Sequence, residues 1–207
     1  MGHQEVLKAD LPNLTLITDS QRLPKDRFSE VVDAALSGGV DAVLVREKKM
    51  DSARLLAFAS HLRELTNRHQ ATLIVHTQAD IAKAIHADGV HLSSMEMNQI
   101  PAIREWLKND EITLSTSCHN KIELEFAHRF GADFVFLSPV FTTRSHPDKE
   151  PLGITRFREL AAASPLPVIA LGGISSTNRQ QLESSPVAVI SAILDADDPR
   201  SEAGKLV

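Results

Sequence analysis

The 207-residue sequence lacks several features that would assign it to a specialised class of protein. It contains one cysteine, so no disulfide can form within the chain, and we expect a reducing, cytoplasmic location. No apolar run approaches the roughly 18 residues that cross a membrane, and residues 1–13 lack the apolar stretch of a signal peptide. The chain has no block of lysine and arginine and a net charge of −5, which argues mildly against a nucleic-acid surface. Neither nucleic acid nor a membrane is therefore expected as a partner.

Short apolar runs recur along the chain and alternate with segments in which apolar residues have helical spacing. The runs predict strands at Leu14–Thr18, Asp41–Arg46, Thr72–His76, Gly89–Leu92, Thr113–Ser117, Phe134–Leu137, Pro167–Leu171 and Val187–Ser191. Helical spacing is found at Phe28–Leu36, Ser52–His69, Ile103–Lys108, Glu123–Phe130 and Thr155–Ala163. Helix starts are indicated by Asp51, Asn120 and Ser175, and helix ends by Gly38, Gly39 and Gly131.

This alternation predicts a parallel sheet that is covered by helices on both faces. Eight strand–helix units in 207 residues give about 26 residues per unit, near the lower size limit of a (β/α)8 barrel. A doubly wound open sheet is the alternative, but the LITDSQRLP turn after the first strand has no glycine. The sequence therefore predicts an α/β fold, a single compact (β/α)8 TIM-barrel domain over residues 1–207, with residues 1–12 as a flexible N-terminal segment.

The residues that directly follow the predicted strands are the candidates for function, because active sites of such barrels lie at the carboxyl ends of the strands. These positions are rich in cations, hydroxyls and histidines, which suit an anionic ligand. They include Arg46, Lys48, His76, Thr77, Ser117 and His119. His91 is interpreted as a structural residue that is bonded within the barrel mouth. Cys118 is interpreted as a core residue, since it adjoins His119 and adjacent residues of a strand point to opposite faces.

A phosphate site is predicted after the last two strands, where TIM barrels commonly bind phosphate. Gly172 and Gly173 follow the seventh strand, and Ser191 and Ala192 follow the eighth. Glycine has no Cβ, so backbone N–H groups can approach a phosphate closely there. These four residues are the predicted phosphate cradle.

Several motifs in this order resemble those of thiamin phosphate synthases and their TenI-like relatives, from roughly Leu14 to Ile193. The motifs are VLVREK, ADGVHL, SCHN, GADFVFLSPVFTTRSHP, PLG and PVIALGGI. The SCHN and TRSHP motifs are similar to those of a thiamin-synthase-like domain that is fused behind Nudix hydrolase domains in some bacteria. The resemblance implies an enzyme of thiamin biosynthesis or salvage that binds a small molecule, either thiazole phosphate or thiamin phosphate. It also raises two expectations about partners, a homo-oligomer and a functional link to a Nudix hydrolase.

The synthase of this family joins a pyrimidine diphosphate to a thiazole phosphate, and the resemblance implies Mg²⁺ as the cofactor of that reaction. By position, Arg46 and Lys48 match the cations at a strand end, and Ser117 matches the serine that faces the diphosphate. Thr143 and Ser145 match hydroxyls of the loop after the sixth strand, and Gly153 matches the glycine of the thiazole phosphate site.

The sequence departs from the synthase pattern around the diphosphate. Leu44 replaces a glutamine, His76–Thr77 replaces an Asn-Asp pair, and His146 replaces a lysine. Glu96 is the candidate for the remaining metal carboxylate. These changes weaken the neutralisation of a diphosphate by Mg²⁺ and lysine, and they favour the TenI-like branch, for which no cofactor is expected.

The TenI-like branch includes thiazole tautomerases, which move a proton on a thiazole carboxylate phosphate. Histidine suits that reaction, because its ordinary pKa lies near neutral pH. His119 aligns with the histidine implicated in the branch and is the first catalytic candidate, followed by His76 and His146. The main prediction is therefore a tautomerase-type enzyme. The alternatives are a divergent Mg²⁺-dependent thiamin phosphate synthase and a non-catalytic sensor of thiamin phosphate or thiazole phosphate.

Overall fold

The computed structural model describes residues 11–143 and 150–207, apart from the side chains of residues 25 and 26. Its strands are β1 (Leu14–Ile17), β2 (Ala42–Val45), β3 (Thr72–His76), β4 (Gly89–Leu92), β5 (Thr113–Cys118), β6 (Phe134–Leu137), β7 (Val168–Leu171) and β8 (Val187–Val189). Each strand pairs in parallel with the next, and β8 pairs with β1. The closed barrel confirms the predicted (β/α)8 fold. The predicted N-terminal segment falls mostly on residues outside the described ranges.

The described helices follow the strands on the outside of the barrel. They are α1 (Lys25–Ser37), α2 (Ser52–His69), α3 (Ala79–Ala84), α4 (Ile100–Leu107), α5 (Lys121–Arg129), α6 (Gly153–Ala163), α7 (Ser191–Leu194) and α8 (Pro199–Leu206). Short 3-10 helices occur at Ser20–Arg22, Met97–Gln99 and Arg179–Leu182. None of the described helices is long and apolar enough to cross a membrane.

Two of the three predicted helix starts are confirmed. The side chain of Asp51 accepts a hydrogen bond from the Arg54 N–H, and that of Asn120 accepts one from the Glu123 N–H. The prediction for Ser175 is wrong, because its hydroxyl bonds to Thr177 Oγ1 and a 3-10 helix follows after Asn178. A residue with capping chemistry therefore indicates a local turn, and only the residues after it decide whether a helix forms.

The strands are buried on both faces, which explains why they read as continuous apolar runs. A small inner cluster fills the barrel and a larger outer cluster lies between the strands and the helices. The inner cluster consists of Ile17, Leu44, Ile74, Phe134, Phe136, Ile169 and Ala188. Beyond this cluster, towards the carboxyl ends of the strands, the inward-facing residues are polar. This polar end of the barrel interior is called the mouth.

Three aspartates connect neighbouring strands at the amino-terminal edge of the barrel. Asp41, Asp88 and Asp133 lie just before β2, β4 and β6, and each accepts a hydrogen bond from a backbone N–H of the preceding strand. The pairs are Asp41 with Leu14 (3.0 Å), Asp88 with Leu73 (2.6 Å) and Asp133 with Leu114 (2.6 Å). The repeated contact holds β1 to β2, β3 to β4 and β5 to β6 at the end opposite the polar mouth.

We predict that Asp133→Ala lowers the free energy of unfolding by about 1–3 kcal/mol. The change removes the acceptor for the Leu114 N–H and the partner of Arg104, whose Nη2 lies 2.7 Å from the Asp133 carboxylate. Urea denaturation measures the effect. The control is Glu159→Ala, which breaks a solvent-exposed pair with Arg156 and should cost less than about 0.5 kcal/mol. Equal effects of the two changes would contradict the structural role of Asp133.

Candidate active site

A cavity of about 360 Å³ opens at the carboxyl ends of the strands. Nine of the predicted site residues line it, namely Arg46, Lys48, His76, Ser117, His119, Thr143, Gly172, Gly173 and Ser191. They come from the ends of β2, β3, β5, β6, β7 and β8, and only the closed barrel brings them together. Ser145 and His146 lie outside the described residues. The structure therefore gathers most of the described candidates around one space.

Besides Thr77, which follows His76, three predicted residues do not line this cavity. Ala192 follows Ser191 in α7, one position beyond the lining. Gly153 is the first residue of α6, and its N–H donates to the Val140 carbonyl at 3.0 Å. That N–H is already used within the chain, so the phosphate-binding role of Gly153 stays a prediction of the family resemblance. Glu96 lies beside the mouth and contacts Ser93.

His119 is held in one orientation at the cavity wall. It follows β5, and its backbone N–H donates to Glu123 Oε2 at 2.8 Å. Its ring Nδ1 lies 2.7 Å from the Ser138 carbonyl oxygen. A carbonyl can only accept, so Nδ1 carries the hydrogen of this bond. In the neutral ring Nε2 is then an unprotonated nitrogen that can accept a proton.

His76 is a neutral side chain beside two cations. Burial, followed by the charge of Arg46, lowers the pKa of His76 from 6.5 to about 4. Its Nδ1 lies 2.9 Å from Thr77 Oγ1. Thr77 has a φ of +64°, a left-handed conformation that a β-branched residue rarely adopts. Backbone strain of this kind is concentrated at functional sites, which supports a functional role for the end of β3, where His76 and Thr77 lie.

Arg46 carries an anion-binding group into the cavity. Its backbone N–H donates to Thr18 Oγ1 at 2.9 Å, which fixes the start of the side chain. Burial lowers the pKa of Arg46, and the carboxylates of Asp19 and Glu47 act in the opposite direction. Over residues 11–143 and 150–207, no acceptor forms a hydrogen bond with its guanidinium. A half-buried guanidinium of this kind favours an anionic ligand.

The residues predicted to hold Mg²⁺ fit that ion poorly. Mg²⁺ requires near-octahedral oxygen ligands, usually anchored by carboxylates. Glu96 is the one predicted carboxylate, and its Oε2 accepts hydrogen bonds from the N–H and hydroxyl of Ser93 and from Thr77 Oγ1. In the described part of the chain no three His, Cys, Asp or Glu side chains are grouped to hold a metal. The chemistry of the described residues therefore does not match that of a Mg²⁺ site.

Glycine is needed at positions 172 and 173 for two reasons. The backbone there has positive φ angles and a closely packed neighbouring segment, and the predicted phosphate must approach it closely. The φ angles of Gly172 and Gly173 are +103° and +67°. The segment after β6 passes over them, and the Phe141 N–H donates to the Gly172 carbonyl at 2.9 Å. A Cβ on Gly172 would lie 2.8 Å from Pro139 Cα, and one on Gly173 would lie 2.9 Å from the Phe141 carbonyl carbon. This packing is a second reason for the glycine pair that the sequence did not reveal.

Several cavity residues were not predicted as site residues. Ser138 and Pro139 lie at the end of β6, and Ser93 and Ser94 follow β4. Their position directly after a strand indicates them, but no role was assigned to them from the sequence. The structural role predicted for Cys118 is confirmed, because the side chain is buried and burial, followed by the charge of Glu123, raises the pKa of its thiol to about 12.

The sequence and fold resemble those of thiamin phosphate-forming enzymes. A family model described as Thiamine monophosphate synthase matches residues 14–194. The thiamine-phosphate synthase of Clostridium novyi is 36% identical over 189 residues, which cover 89% of this chain and 92% of that protein. That of Thermosynechococcus vestitus is 35% identical over 187 residues, which cover 89% of this chain and 53% of that protein. The chain thus spans about half the length of this second relative.

A solved structure has the same fold over most of the chain. The thiamine phosphate pyrophosphorylase from Pyrococcus furiosus superposes with a TM-score of 0.83 at 31% sequence identity. The superposition covers 94% of this chain and 93% of that chain. The likeness therefore extends over most of both chains.

We predict that Gly173→Ala destabilises the protein more than Gly131→Ala does. Both glycines have positive φ, but a Cβ at Gly131 meets nothing within 4 Å, whereas one at Gly173 meets the backbone of Phe141 and Thr142. Gly131→Ala should cost about 1 kcal/mol from its φ alone, and Gly173→Ala about 2–4 kcal/mol. Thermal or urea unfolding measures the difference. Equal costs would show that the segment after β6 does not depend on the glycine.

A pH-dependent stability is expected from His76. Its pKa of about 4 in the folded state is below the 6.5 of the ordinary side chain, so the unfolded chain binds the proton first as the pH falls. The stability associated with neutral His76 is complete above pH 6.5 and is lost towards pH 4. His76→Gln should therefore reduce the loss of unfolding free energy between pH 7 and pH 5 by on the order of 1 kcal/mol. Identical pH profiles of the two proteins would be evidence against the burial of a neutral ring.

Proposed function

The chain belongs to the thiamine monophosphate synthase family, and on this premise we propose that it binds a thiazole phosphate in the barrel mouth. Gly172, Gly173 and Ser191 line one cavity with the half-buried guanidinium of Arg46, which supports an anionic ligand. Backbone N–H groups near two glycines and a helix start are suited to the phosphate. The ring of the ligand would then lie within reach of His119.

We further propose that His119 transfers a proton on the bound thiazole, as in thiazole tautomerases. The observation that carries this proposal is the 2.7 Å contact between Nδ1 and the Ser138 carbonyl, which leaves Nε2 as the proton acceptor. Nε2 would remove a proton from one atom of the ligand and return it to another. The composition of the ligand is unchanged, and the reaction needs neither a leaving group nor a second substrate. General acid–base catalysis of this kind contributes about 10²–10⁴-fold to a rate.

A second candidate is the coupling of a pyrimidine diphosphate to the thiazole phosphate. The names of the relatives favour this reaction over the tautomerase. Arg46, Lys48 and Ser117 line the cavity and have the chemistry to bind a diphosphate. The poor fit of Glu96 and Thr77 to Mg²⁺ is the observation that opposes it, because a departing diphosphate needs its charge neutralised.

The remaining expectations from the sequence stay proposals. They are a single domain over the whole chain, a cytoplasmic location, a homo-oligomer and a functional link to a Nudix hydrolase. Thiamin phosphate is the alternative ligand, and its binding without turnover would correspond to a sensor.

The two reactions are distinguished with purified protein. We expect isomerisation of a thiazole carboxylate phosphate in the presence of EDTA, and a loss of about 10²–10⁴-fold in kcat for His119→Ala. The control is His128→Ala, which changes an exposed histidine of α5 and should retain the rate. Isomerisation that is unaffected by His119→Ala would contradict the proposed role of this residue.

The same protein is then incubated with the pyrimidine diphosphate, the thiazole phosphate and Mg²⁺. Release of diphosphate with formation of thiamin phosphate would favour the second candidate over the tautomerase. Binding of thiazole phosphate with neither activity would favour a sensor. Failure to bind any of these phosphates would overturn the proposed ligand class.

A further inference from the structure

A nearly buried histidine lies at the inner wall of the cavity and contacts a second residue of the lining, a serine. His91, on β4, is 3% exposed, and its ring packs edge-on against Phe136 with the ring centroids 4.7 Å apart. Its Nδ1 lies 3.0 Å from Ser115 Oγ, and its Nε2 lies 2.9 Å from Ser117 Oγ. Ser115 is 1% exposed, whereas Ser117 lines the cavity. His91 therefore connects a buried hydroxyl to one that can meet a ligand.

The ring of His91 is neutral in this environment. Complete burial, followed by the nearby His76 and Arg46, lowers the pKa of His91 well below its ordinary value. A neutral imidazole has one N–H donor and one nitrogen that accepts. His91 therefore donates to one serine and accepts from the other. The hydrogen of the ring lies either on Nδ1, facing Ser115, or on Nε2, facing Ser117.

The buried hydroxyl of Ser115 selects between the two arrangements. In the described part of the chain, the contact with His91 Nδ1 is the one hydrogen bond recorded for Ser115 Oγ. If Nδ1 carried the hydrogen, Ser115 would accept it, and its own O–H would be buried without an acceptor. If Ser115 donates to Nδ1, every group is paired. Buried donors are rarely left unpaired, because the loss is costly.

We propose that Ser115 holds His91 in the Nε2–H tautomer, and that His91 thereby directs the hydroxyl hydrogen of Ser117 into the cavity. Nε2–H donates to Ser117 Oγ, so the hydrogen of that hydroxyl remains for a ligand oxygen. His91 is then a positioning residue that acts through Ser117. This inference rests on the proposed function, since it specifies how the same cavity selects an anionic ligand.

The opposite tautomer would give the site another specificity. Ser117 would then donate to His91 Nε2 and offer the ligand only lone pairs, which suit an N–H donor rather than an anion. The tautomer of His91, a nearly buried ring at the cavity wall, thus decides the polarity of the hydroxyl that Ser117 offers to the ligand. The cation of Arg46 in the same cavity is consistent with the anion-selective arrangement.

The tautomer is tested directly by long-range ¹H–¹⁵N spectra of the full chain with ¹⁵N-labelled histidine. The His91 signals are assigned as those that disappear in His91→Gln. We expect protonated Nε2 and unprotonated Nδ1 at neutral pH. Protonated Nδ1, or a doubly protonated ring, would overturn the proposal. This measurement needs no turnover, so it is independent of whether the thiazole reaction itself is correct.

The positioning role is tested by the binding of inorganic diphosphate, measured by calorimetry. Ser117→Ala should weaken binding on the order of tenfold, as expected for a lost hydrogen bond to an anion. His91→Leu should weaken it to a similar extent, and His91→Gln, whose amide can donate to Ser117, should restore part of the loss. In the Ser117→Ala background, His91→Leu should have little further effect. If His91→Leu weakened diphosphate binding equally in the wild-type and Ser117→Ala proteins, His91 would act only through packing, and the proposal would be overturned.

Discussion

The pairing of β8 with β1 is the contact on which the site depends. The register joins Leu14 to Val187 and Leu16 to Val189, and it closes the sheet into a ring. Because all eight strands are parallel, their carboxyl ends then surround one space. Arg46 and Ser191, which are 145 positions apart in the chain (191 − 46), thereby line the same cavity. In an open sheet these two residues would lie on separate parts of the edge.

The chemistry of the mouth follows from which polar groups point into it. Arg46 and Lys48 supply positive charge, and His119 supplies a nitrogen that can accept a proton. Glu96 is beside the mouth rather than in its lining, and its Oε2 is occupied by Ser93 and Thr77. Positive charge in the lining, together with the lack of a carboxylate among the described lining residues, favours an anionic small molecule over a metal ion as the ligand. The tautomer proposed for His91 adds a hydrogen-bond donor to the same anion-binding surface.

Most of the fold was predictable because its signals are local. Each strand was predicted to within two residues at either end, since a buried parallel strand is a short apolar run between helices. Position after a strand likewise predicted that His119 would lie at the mouth, whereas its catalytic role was inferred from the family resemblance as well. The bond between His119 and Ser138, and the passage of Phe141 over Gly172, join separate units of the barrel. Such contacts were not predictable from sequence, because nothing in one unit specifies which atoms of another unit it will meet.

The barrel mouth is proposed to bind a thiazole phosphate with its ring at His119. A crystal structure of the protein with thiazole phosphate bound tests it most directly. We expect the phosphate oxygens within hydrogen-bond distance of backbone N–H groups at Gly173 and Ser191, and the ring next to His119 Nε2. A phosphate bound outside the barrel mouth, or a ring out of reach of His119, would contradict it.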